Sequence, residues 1–91
     1  MMINIAQLRD EVDNLDSQIL DLLSERMKLV EKIAQEKNKQ DLPLIDKNRE
    51  ENMRKNWIEK SELLCLDFKS IQVIFDEILK MSKNIQNMML K

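Results

Sequence analysis

Arg26 stands where an apolar side chain is expected. Ile5, Leu8, Val12, Leu15, Ile19 and Leu22 recur in steps of three and four, Arg26 takes the next place, and the stripe resumes at Leu29 and Ile33. Lys37 follows eleven residues after Arg26, which at 100° per residue returns it to within about 20° of the same helical face. A second stripe carries Ser82 after Ile78, with Gln86 one turn further on its edge. Between the two, "DKNREE" sets Asp46, Arg49 and Glu50 within one turn of a helix start. Arg9 lies seventeen residues before Arg26, roughly 25 Å along a helix, so one chain cannot bring both to one small ligand. In an antiparallel or crossed dimer, Arg9 of one chain can meet Arg26 of the other.

Each of these residues has a plain structural reading. One buried polar side chain in a helical seam fixes register or oligomer state. Ser82 reads as a tolerated small residue, Gln86 as a boundary amide, and the Asp46–Glu50 cluster as capping with surface charge. Gathered around one cavity, they amount to three guanidiniums, an ammonium, an amide, a hydroxyl and two carboxylates. Cations buried together need anions to pair with them. Such a cavity fits a small dianion, held by forked arginine–carboxylate contacts. The chain has no His, and Cys65 is its single cysteine, which leaves no Cys–His or Ser–His nucleophile pair and none of the usual zinc sites. What remains is chemistry by positioning and hydrogen-bond donation, with no cofactor and no metal.

The elements that position these groups must be helical. Gly is absent, Pro occurs once, and 35% of the 91 residues are charged against 43% apolar. That composition suits one all-α domain over residues 1–91. A first helix is expected from Ile5 to Lys39 with no breaker inside it, about 50 Å long, where a compact monomer of this length is only roughly 30 Å across. One end of it would leave its apolar stripe wet, so the expectation is an obligate homodimer. "NKQDLPLID" is the first punctuation, with Asp46 as N-cap of a second helix over about Lys47–Lys60 that turns Met53, Trp57 and Ile58 inward. "SELLCLD" reads as a connector, in which Cys65 packs rather than reacts. Asp67 caps a third helix with Phe68, Ile71, Ile74, Phe75, Ile78, Ile85 and Met89 along its stripe. Met1–Ile5 and Met88–Lys91 are expected to fray. Net charge is −2 with both signs interspersed, which argues against nucleic acid as a partner. No run approaches membrane-spanning length, and "MMINIAQLRDEVD" meets charge too early for a signal peptide, so a cytoplasmic protein is expected.

Three stretches, "LRDEVDNLDSQILDLLSERMKLVEKIAQEK", "DKNREE" and "FDEILKMSKNIQ", together resemble the all-helical (type II) chorismate mutase family from about Leu8 to Gln86. The resemblance implies an intertwined dimer of three helices per chain that converts chorismate to prephenate by a Claisen rearrangement, without cofactor. It implies that Arg26, and Arg9 from the partner chain, grip the two substrate carboxylates. By the same resemblance Lys37 bridges a carboxylate and the ether oxygen, Gln86 donates to that oxygen, and Glu50 accepts from the ring hydroxyl. Asp46 and Ser82 would line the pocket, and Arg49 would lie beside the substrate or support Glu50. Two alternatives stay open at this stage. One is an isochorismate pyruvate-lyase on the same fold, against which the Arg49–Glu50 pair and Ser82 argue. The other is a non-catalytic helical dimerisation module, which leaves the coincidence of Arg26, Lys37, Ser82 and Gln86 unexplained.

Overall fold

A computed structural model describes residues 2–89, and within them the chain forms three α-helices and no strand. The expected all-α class is what the structure shows. Helix α1 spans Ile5–Lys39, α2 spans Lys47–Leu63 and α3 spans Phe68–Met89. The expected fraying at Met1, Leu90 and Lys91 lies outside the described residues, whereas Ile5, Met88 and Met89 are helical.

Each helix begins on a side-chain cap. Asn4 Oδ1 accepts from the amides of Ala6 and Gln7 at 3.0 and 3.3 Å. Asp46 Oδ1 accepts from the Arg49 amide at 3.1 Å, and Asp67 Oδ2 from the Ser70 amide at 3.1 Å. These are the amides that a helix start leaves without partners. The C-terminal ends are made in an unusual way for a chain without glycine. After α1, Asp41 takes φ 55° while the Leu42 amide donates to the Lys37 carbonyl at 2.8 Å and the Asp41 amide to that of Asn38 at 3.4 Å. After α2, Cys65 takes φ 57° while Leu66 donates to Ser61 at 2.9 Å and Cys65 to Glu62 at 3.1 Å. Both are Schellman motifs, with a left-handed residue just past the helix. The expected end of α2 at Lys60 is therefore three residues short. Ser61, Glu62 and Leu63 carry no stop signal, and the terminator is a cysteine in a conformation usually left to glycine.

Helix α3 packs against both α1 and α2. Among the described residues, Ala34 of α1 and Phe75 and Ile78 of α3 are buried, together with Ser61 of α2 and Ser82 of α3. Trp57 meets Phe75 edge-on at 5.3 Å between ring centroids. Arg54 lies 5.0 Å above the same ring and pairs with Asp76 at 2.7 Å. Met53, Trp57 and Ile58 are half-buried, as the pattern of α2 anticipated. In α3, however, Phe68 and Ile74 stay nearly half exposed. In α1 the face turned to α3 is also not the stripe read from the sequence. Leu23, Met27 and Val30 are half-buried and Ala34 is buried, one facet round the helix from the seam. The seam residues remain open, with Val12 55%, Leu15 57% and Ile19 55% exposed. The single chain measures 62 × 23 × 15 Å with a radius of gyration of 17.0 Å, against the ~12 Å of a compact domain of this length. The long helix has outrun what its own chain can cover.

Candidate active site

The C-terminal half of α1, the start of α2 and the C-terminal half of α3 enclose a hollow of about 450 Å³. Arg26 and Lys37 enter from α1, Arg49 and Glu50 from α2, Ser82 and Gln86 from α3, and Asp46 stands at the α2 cap. Leu29, Val30, Ile33, Leu44, Met53 and Leu79 complete the wall. Seven of the eight site residues expected from the sequence are therefore brought together. Arg9 is not: it sits exposed on the N-terminal half of α1, away from this hollow. Hollows of similar size at the start of α1 and at the α2–α3 turn gather no comparable charge.

Local structure aims the cations. The Arg26 guanidinium donates through Nη1 to Ser82 Oγ at 2.7 Å and approaches Met53 Sδ through Nη2 at 3.9 Å. Ser82 Oγ in turn donates to the Ile78 carbonyl one turn back at 3.0 Å. The hydroxyl is thus fixed as an acceptor toward Arg26. Ser82 is buried because it is this bridge, rather than a small residue tolerated in the stripe. The turn that ends α1 folds the connector back over Lys37, whose Nζ donates to the Leu44 carbonyl at 3.1 Å. The Asp46 carboxylate is engaged by the amide it caps. Glu50, half-buried, pairs with Lys83 Nζ at 3.3 Å. Sequence reasoning missed Lys83, which resembled one more exposed lysine on α3, and Leu44, whose contribution is a backbone carbonyl that no side-chain pattern reveals.

The electrostatics are one-sided. Among the described residues, none of Arg26, Lys37 and Arg49 forms an ion pair. Burial pulls the Arg26 guanidinium below its ordinary value, and the nearby Arg49 charge pulls it further. Both causes mean that the cation is held at a cost, with neutral oxygen and sulfur as its neighbours. An anion entering the hollow removes that cost. No three Asp, Glu or Cys side chains among the described residues come together as a metal ion would need.

A family model described as chorismate mutase type II matches residues 8–87. The chain belongs to this family. Among the relatives it matches are the T-protein of Enterobacter agglomerans, 28% identical over 87 residues, which is 96% of this chain and 23% of the relative. A bifunctional chorismate mutase/prephenate dehydratase of Buchnera aphidicola is 36% identical over 83 residues, 91% of this chain and 22% of the relative. A chorismate mutase of Methanocaldococcus jannaschii is 36% identical over 50 residues, 55% of this chain and half of the relative. The chain thus spans less than a quarter of the first two relatives and half of the third.

Proposed function

We propose that this chorismate mutase type II chain converts chorismate to prephenate, and that its active form is a homodimer in which Arg9 reaches the partner's cavity. One observation carries the reading. A hollow of about 450 Å³ holds Arg26, Lys37 and Arg49, with no acid among the described residues paired to them, beside the neutral amide of Gln86. That is a receptor for a small dianion, and chorismate carries two carboxylates.

The mechanism needs no proton transfer. In the rearrangement an ether C–O bond breaks as a C–C bond forms. Arg26 takes one carboxylate by a forked contact, and Arg9 of the second chain takes the other. Together they fold the enolpyruvyl arm over the ring, which removes the freedom that slows the reaction in solution. As the ether bond lengthens, negative charge grows on its oxygen. Lys37 and Gln86 donate there and hold that charge more strongly than the ground state, which is what lowers the barrier. Glu50 accepts from the ring hydroxyl, while Asp46 and Ser82 shape the wall.

The test is direct. Purified protein given chorismate yields prephenate, and given isochorismate releases no pyruvate. Arg26→Leu, which fills the same space without charge, loses activity by about 100-fold or more, in line with removal of a buried charged contact. Release of pyruvate from isochorismate would instead favour the lyase. A chain that binds and converts neither substrate would be a dimerisation module.

A further inference from the structure

Glu50, to which the proposed reaction gives the ring hydroxyl, presents a puzzle of its own before substrate arrives. It is an ionisable acid on the wall of a hollow holding three cations, yet it pairs with none of them. Within one hollow a mobile carboxylate is drawn to a guanidinium, and the forked pair that results would occupy the contact a substrate carboxylate needs. Glu50 Oε1 is instead held at 3.3 Å by Lys83 Nζ, across the α2–α3 junction. The Lys83 side chain is 40% exposed and does not line the hollow, so the pull comes from outside the lining. Lys83 also directly follows Ser82, the residue that holds Arg26. Consecutive positions of α3 therefore keep a cation and an anion of the same cavity apart.

We propose that Lys83 is a positioning residue: it tethers Glu50 outward, so that the cavity's cations stay free for the substrate's carboxylates. The inference rests on the reading of the cavity as a chorismate site. Without the tether Glu50 swings onto Arg26, Lys37 or Arg49 and competes with substrate for them. Substrate that does bind displaces it, so the loss falls on binding rather than on the chemical step.

The experiment compares steady-state kinetics with chorismate for the wild type, Lys83→Met, Lys83→Arg, Glu50→Gln and the Lys83→Met/Glu50→Gln pair. Lys83→Gln serves as a second neutral variant, and far-UV circular dichroism verifies helix content throughout. Lys83→Met and Lys83→Gln are expected to raise KM by about 5- to 20-fold with kcat changed less than about twofold, the size of a coupled-neighbour effect. Lys83→Arg restores KM to near the wild-type value. In the Glu50→Gln background, where residue 50 has no carboxylate to compete, Lys83→Met has no further effect on KM. Wild-type KM in the neutral variants, or losses from Lys83→Met and Glu50→Gln that simply multiply, would overturn this inference alone. Absence of turnover in every variant, the wild type included, overturns the chorismate reading as well.

Discussion

The guanidinium of Arg26 has a serine hydroxyl and a methionine sulfur for neighbours and, among the described residues, no acid paired to it. A side chain kept this way is primed for an anion that arrives from outside. Gln86 is its counterpart on the neutral side of the cavity. An amide donates whatever the pH, whereas a carboxyl donates only while protonated. Wild-type turnover is therefore expected to stay level from about pH 5 to about pH 8, since the Gln86 amide has no proton to lose in that range. Gln86→Glu is expected to be active on the acid side and to lose rate as pH rises and its carboxyl ionises, which a pH profile of kcat checks. The lowered Arg26 value leaves this window untouched, since a guanidinium drawn down by burial and by Arg49 is still protonated at neutrality. Most of the residues in the hollow were legible in the sequence because each breaks an apolar rhythm or opens a helix. Lys83 and Leu44 were not, because a lysine on a helix and a carbonyl in a connector break no pattern.

At the scale of elements, the long first helix was read correctly to both ends because nothing within it could stop it. Asn4 and the Asp41 turn mark its limits. The second helix overran its expected end because its terminator lacks the usual residue. Cys65 adopts a left-handed conformation that costs a β-carbon-bearing residue about 1–2 kcal/mol. Glycine removes this strain while giving back part of it as unfolded-chain freedom. Cys65→Gly is thus expected to raise stability by about 0.5–1 kcal/mol, read as a higher midpoint in thermal unfolding, with activity unchanged. Asp67 contributes at the other side of the same turn. The Ser70 hydroxyl and amide hold its carboxylate below the ordinary value. Its support for the start of α3 is therefore present above the usual aspartate range and fades as pH falls through that lowered value. The face of α1 that meets α3 escaped the sequence reading because two apolar facets adjoin, and the more regular one belongs to the surface left open.

For the whole molecule, that open facet sets the terms. Leu8, Val12, Leu15 and Ile19 run along a helix that the described residues leave exposed from Ile5 to Leu22, and Arg9 lies among them. A second copy crossing there would cover the stripe and carry its Arg9 toward a cavity it does not share with its own Arg26. Sedimentation is expected to give about twice the 10.9 kDa of one chain. Arg9→Ala and Arg26→Ala homodimers should each be close to inactive. Refolded together in equal amounts, they should recover roughly a quarter of wild-type activity, because half the pairs are mixed and each mixed pair has one undamaged site. Failure to recover activity would mean that each cavity is built by one chain.

Phe75 is the one large side chain that the described chain seals off completely, and Ala34 and Ile78 are the other buried apolar residues. An interior so small has little to hold three helices in place, and in the proposed homodimer gaining shape and finding a mate would become one event. For such a protein, dilution itself acts as a denaturant, and the number of copies in a cell helps to decide how long each one keeps its form.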